Sequence, residues 1–146
     1  MNPFIDDFFK QTGKEVIIDT NVLILYLVGS TNQEYIKKVK ATKNIFNKND
    51  YETIKNIILY YDKVITTPNI LTELSLFAGQ KKHLKKELFN QFNVMVCSSN
   101  FEEKFVKSPE ISNDSSFNRL GLTDIAIAKL SEEKVGVITK DLDLCL

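Results

Sequence analysis

The stretch Val16-Ile17-Ile18-Asp19-Thr20-Asn21-Val22-Leu23-Ile24 decides how this chain reads. Its opening run of β-branched apolar residues has the form of a strand covered on both faces, as in a parallel sheet. The run stops at Asp-Thr-Asn and resumes apolar at helical spacing. Asp19 therefore falls between the carboxyl end of a strand and the start of a helix, where open α/β sheets keep their ligand sites. Taken alone, Asp19 or Thr20 reads more simply as a helix cap, since Asp, Thr and Asn are all good N-caps. A chemical role requires further acids at equivalent junctions.

Outward from this stretch, strand and helix patterns alternate. Residues 1–14 predict a helical lead-in, with Pro3, Asp6 and Asp7 at its start, a packing face of Phe4, Phe8 and Phe9, and Gly13 as its end. A strand over 15–18 precedes an apolar helix over 20–28, closed by Gly29. Residues 31–62 are polar and helical in period. One amphipathic helix is predicted through Ile36, Val39, Ile45 and Phe46, and a second through Ile54, Ile57, Ile58, Tyr60 and Tyr61, with a break near Lys48-Asn49-Asp50. Val64-Ile65-Thr66 is the second predicted strand. Thr67 caps the next helix, Pro68 occupies its first turn, and Gly79 stops it. Beyond it the patterns predict a helix over 81–92, a third strand at Val94-Met95-Val96 and a short helix over 99–107. A turn-rich loop over 108–116, a helix over 122–131 and a fourth strand over 135–139 complete the series. The expected fold is α/β, a three-layer α/β/α domain around a mostly parallel sheet of about four to five strands. The sequence reads as one domain over 1–146, with 31–62 as a helical insertion or extension.

Bulk properties narrow the function classes. A chain of 146 residues with 43% hydrophobic and 26% charged residues has enough apolar material for a real core and too much for extended disorder. Nineteen basic residues balance nineteen acidic ones, so the chain is not a simple basic coat for nucleic acid. Cys97 and Cys145 have neither metal spacing nor a disulfide framework. The N-terminus carries acids where a secretory signal needs bases, and no run approaches transmembrane length. The expectation is a soluble, cytoplasmic protein with no membrane partner. No Gly-rich phosphate loop is present, which argues against a nucleotide cofactor.

Three more carboxylates fall at element junctions. Glu73 lies in the helix after the second strand, among Leu71, Leu74 and Leu76, and that apolar company predicts a buried acid in need of a partner. Asp124 follows Gly121-Leu122 at a helix start, where the macrodipole alone would favour an acid. Asp141 follows the fourth strand as Asp19 follows the first. Carboxylates converging on one sheet edge would repel one another, and a divalent cation relieves that crowding. Hard oxygen ligands suit Mg²⁺ or Mn²⁺, which also bind phosphate oxygens.

The segments IIDTNVLI, TTPNILTEL, LGLTDIAIAKL and VITKDLDL, in this order and each with its acid, resemble the PIN (PilT N-terminal) domain nucleases. The likeness spans roughly residues 15–146, and the region after the first helix, longer than in minimal toxins, diverges most. Carried over by position, the resemblance implies Asp19, Glu73, Asp124 and Asp141 as catalytic, metal-binding acids. It implies Asn21 and Thr139 as groups orienting those acids, and Asp143 as an auxiliary acid. It further implies a Mg²⁺- or Mn²⁺-dependent endoribonuclease acting on single-stranded RNA. Many small bacterial members are VapC-type toxins held by an antitoxin protein. Apart from the resemblance, parallel-sheet domains with apolar helices often form homodimers, although no stretch of this sequence specifies an interface.

Lys81, Lys82, Lys85 and Lys86, with His83, form a dense basic cluster. On one helix, 81 with 85 and 82 with 86 would share a face and could meet RNA phosphates, although a solvated face is the simpler reading. Two rivals to the ribonuclease remain. One is a catalytically inactive PIN-fold scaffold or protein-binding module, and the other is a structure-specific DNA nuclease.

Overall fold

A computed structural model describes residues 14–132 and 135–139. The predicted lead-in over 1–13, and Asp141 and Asp143, lie outside the described residues. Strands β1 (Glu15–Ile18), β2 (Lys63–Thr66), β3 (Phe101–Glu103) and β4 (Gly136–Ile138) form one sheet in the order β3-β2-β1-β4, parallel throughout. Six α-helices join them among the described residues: α1 (Thr20–Thr31), α2 (Lys48–Tyr60), α3 (Pro68–Gly79), α4 (Lys85–Val96), α5 (Ser108–Ser112) and α6 (Phe117–Ser131). The fold is α/β, as the alternating patterns predict.

The strand order fixes the layers. From β1 the chain steps outward to β2 and then β3, and it returns to the far side of β1 as β4. Right-handed crossovers put α1 to α4 on one face and the returning α5 and α6 on the other. The apolar clusters follow this division. The main core joins β1 and β2 to Leu23, Leu27, Leu74 and Leu88 and also takes in Ile127 and Leu130 of α6, whereas Ile111, Ile125 and Ala126 form a smaller cluster between α5 and α6. Helix α1 packs on α2, α3 and α4. Its run Val22–Val28 is therefore buried almost all round, which explains a helix with no polar face. No described helix is long and apolar enough to cross a membrane.

Several local expectations need correction. Val94-Met95-Val96 is not a strand but the last turn of α4, with Leu88 and Met95 buried and Val94 61% exposed. The third strand is Phe101–Glu103, inside the region expected to be helical. It is a three-residue edge strand, paired to β2 alone, and so needs no apolar run. Residues 108–112 are helical rather than loop. The first amphipathic helix expected in 31–46 is only a 3₁₀ turn, Gln33–Lys37, followed by turns. Lys48-Asn49-Asp50 is a helix start instead of a break, because the Asn47 side chain accepts from the Asp50 N–H while the Asp50 carboxylate accepts from the Asn47 N–H. Helix α1 runs through Gly29 to Thr31, and α4 begins only at Lys85. Residues 82–84 form a turn and Lys81 lies before it, so Lys81 and Lys82 are outside the helix that carries Lys85 and Lys86 and the expected pairing along one helix face is absent.

Candidate functional site

The sheet reverses direction at β1, since its two neighbours are reached by connections on opposite faces. Such a switch point opens a crevice at the carboxyl ends of the strands. Asp19 stands there, directly after β1. Its N–H donates to the Ile138 carbonyl at 2.9 Å, which ties it to the end of β4. Its Oδ1 accepts from the Thr20 N–H at 2.7 Å, and its Oδ2 accepts from the Thr139 hydroxyl at 2.8 Å. Asp19 is the N-cap of α1 and is only 5% exposed. The capping and chemical readings of this residue are thus compatible, because the cap fixes the carboxylate at the crevice.

Thr20 joins this acid to a second. While its N–H serves Asp19, its hydroxyl donates to Glu73 Oε2 at 2.7 Å. The other oxygen of Glu73, Oε1, accepts from the Thr123 hydroxyl at 3.0 Å. Thr20 is buried, but Glu73 is exposed, contrary to the burial expected from its neighbours. The core face of α3 is Ile70, Leu74 and Ala78, and Leu76 is 61% exposed on another side. Glu73 is held by hydroxyls rather than by an apolar pocket. Helix α3 reaches the crevice because Thr67, directly after β2, accepts from the Ile70 N–H at 3.2 Å and Pro68 opens the first turn.

Asp124 is half-buried in α6, next to Thr123. Helix α6 is interrupted at Gly121, where φ is 83° and ψ is −177°, a backbone region nearly exclusive to glycine. The interruption swings Leu122–Asp124 alongside α3. Glu73 and Asp124 then line a common cleft of about 430 Å³ between the start of α3 and the kink of α6.

Asp19 and Glu73 are thereby linked through Thr20, and Glu73 is bound in turn to Thr123, the chain neighbour of Asp124. Asn21 is exposed, and its side chain makes no hydrogen bond to another described residue. The hydroxyls of Thr20 and Thr123 are the connecting groups that sequence reasoning missed. A threonine beside an aspartate at a helix start looks like a spare cap, and only the fold reveals that both reach the same glutamate. The lysine cluster sits beyond Gly79, at the far end of α3 from Thr67, roughly 18 Å of helix away. Lys81 Nζ lies 5.2 Å from the centre of the Phe77 ring.

Whether these residues suit a cation depends on donor chemistry and number. Carboxylate and hydroxyl oxygens are hard ligands of the kind Mg²⁺ and Mn²⁺ take. Each oxygen of Asp19 and Glu73 accepts one hydrogen bond and has a second lone-pair direction to offer. The donors therefore fit by type. By number they are incomplete, for among the described residues no group of three acidic, histidine or cysteine side chains is gathered to hold a metal ion.

No family model matches the chain, and no curated protein and no solved structure matches it.

Proposed function

We propose that this chain is a Mg²⁺- or Mn²⁺-dependent nuclease that hydrolyses phosphodiester bonds of single-stranded RNA. The observation that carries the reading is the shared threonine. Thr20 binds acids from two separate elements, Asp19 after β1 and Glu73 in α3, at the switch point of the sheet. Purely structural caps do not require acids from distant parts of the chain to meet. The resemblance to PIN nucleases supports the same assignment.

Asp19 and Glu73 would hold the ion, with Asp124 facing the substrate cleft and Asp141 as the expected fourth acid. A divalent ion bound there supplies positive charge to a phosphodiester and makes water a better nucleophile near neutral pH. The chain's own contribution is positional. Asp19 is locked on both oxygens, so it cannot turn away from the crevice. Thr20 and Thr123 fix Glu73 from two sides in the same way. Asp124 adds its carboxylate to the lining of the cleft beside Glu73.

The test is cleavage of an end-labelled single-stranded RNA in Mn²⁺, with EDTA and the Asp19→Asn variant as controls and a DNA of the same sequence beside it. Metal-dependent RNA cleavage lost in the variant is the expected result. Full activity in Asp19→Asn or in EDTA overturns the proposal, and preference for the DNA strand redirects it to a DNA nuclease. A second reading, a binding module on the same fold, draws on the incomplete acid set among the described residues. It predicts no cleavage and no Mn²⁺ binding. Growth arrest on expression, relieved by Asp19→Asn, would extend the nuclease reading to a toxin with an antitoxin partner.

A further inference from the structure

Among the described residues no lysine or arginine lines the cleft beside the acids, whereas the Glu73 carboxylate does, so an anion entering it meets like charge there. Apart from Glu73 and Asp124, its described walls are neutral. Leu120 and Leu122 from α6 present apolar surface, and Leu122 is 40% exposed. Between them Gly121 leaves open space, because a Cβ added there meets nothing within 4 Å. A flat group can therefore approach the backbone closely at that point.

Opposite in sequence and element, α3 contributes Asn69 and Thr72. The Thr72 hydroxyl donates to the Pro68 carbonyl at 2.7 Å, which leaves its oxygen as an acceptor. The Asn69 amide makes no hydrogen bond to another described residue, so its donor and its acceptor are both available. Apolar surface next to an unspent amide suits a nucleobase, which has apolar faces and a hydrogen-bonding edge. The volume, about 430 Å³, is in the range of small-ligand pockets.

We infer that this cleft is a nucleobase subsite, in which one base of the strand lies against Leu120 and Leu122 while Asn69 reads its edge. The inference deepens the nuclease reading and rests on it for the identity of the strand. The charged phosphate stays outside, toward the Asp19 end of the crevice, and the neutral base enters the cleft. Base preference at one position next to the cleaved bond then depends on Asn69.

The experiment uses neutral nucleosides, which need neither a metal nor a scissile bond. Adenosine, cytidine, guanosine and uridine are titrated separately into the protein, and backbone amide shifts are followed by NMR, with ribose 5-phosphate as control. At least one nucleoside is expected to shift the amides of Asn69 and Leu122, and ribose 5-phosphate is not. Asn69→Ala is expected to weaken the preferred nucleoside about fivefold, the loss of one hydrogen bond. Leu122→Ser is expected to weaken all four together. Failure of every nucleoside to shift these amides overturns the inference, as does ribose 5-phosphate binding as well as the nucleosides, or an unchanged ranking in Asn69→Ala. Nucleoside binding without RNA cleavage overturns the nuclease reading alone. Cleavage without nucleoside binding overturns the subsite alone.

Discussion

Replacing Thr20 by valine removes the hydroxyl that joins the two acids and keeps nearly the same shape. Thr20 is 7% exposed, so the new methyl group stays in a largely dry position. The lost bond is a 2.7 Å contact to a carboxylate oxygen. Hydrogen bonds to charged groups contribute about 1.5–3 kcal/mol, and water reaching the exposed Glu73 brings this down to about 1 kcal/mol. A double-mutant cycle with Glu73→Ala isolates the pairwise part, since the Thr20 N–H bond to Asp19 is present in all four proteins. Urea unfolding of the four, at constant m, should give a coupling energy of about 1 kcal/mol, with the double variant less destabilised than the sum of the singles. The same cycle on Thr123, whose bond to Glu73 is longer at 3.0 Å and more exposed, should give a smaller value. Additivity of Thr20→Val and Glu73→Ala within about 0.3 kcal/mol would refute the link on which the site is built.

Three further outcomes follow from the packing and the backbone. A Cβ on Gly29 would lie 2.3 Å from Tyr51 Cδ2, and Tyr51 is braced against the Tyr26 ring and near the Ser30 hydroxyl. Gly29→Ala should therefore destabilise by about 1 kcal/mol net, overpacking outweighing the gain in helix propensity, and in a Tyr51→Ala background, which removes the clashing ring, it should no longer destabilise; a stabilised single variant in urea unfolding contradicts this. Gly121→Ala meets no atom but must hold φ at 83°, so it should cost about 1–3 kcal/mol of backbone strain, seen as a lowered Tm in a thermal melt, whereas an unchanged Tm means the kink is relaxed. Asp19→Ala should lose about 1–2 kcal/mol through the helix cap and Asp19→Asn distinctly less, because an Asn side chain also caps; equal losses in urea unfolding would separate Asp19 from its capping role.

The parts of the fold legible in the sequence are those whose pattern is dictated by burial on two sides. Val16-Ile17 and Val64-Ile65 pair in the middle of the sheet, fully buried, and could only be apolar, and Thr67-Pro68 announces its helix by capping chemistry. The third strand was illegible for the opposite reason. Phe101–Glu103 borders a single neighbour, and its two glutamates are tolerated at an edge. Val94-Met95-Val96 imitates a strand although only Met95 of the three is fully buried, the others being half-buried or exposed at the end of a helix. Gly29 imitates a helix stop, yet its bare Cα makes room for the Tyr51 ring inside α1. At the site, the positions of Asp19, Glu73 and Asp124 followed from their junctions. The exposure of Glu73 did not, because the company of leucines in sequence says nothing about which leucines share its face. The hydroxyl links through Thr20 and Thr123 span more than fifty residues and fifty residues of chain, respectively, and no local pattern encodes them.

Calorimetric titration of Mn²⁺ into the wild type and into folded Asp19→Asn addresses the joint acid site most directly. Saturable binding to the wild type, weakened about tenfold or more in the variant, is the predicted result. Equal heats from the two proteins, or no binding to either, would contradict it and leave Asp19 as a helix cap alone.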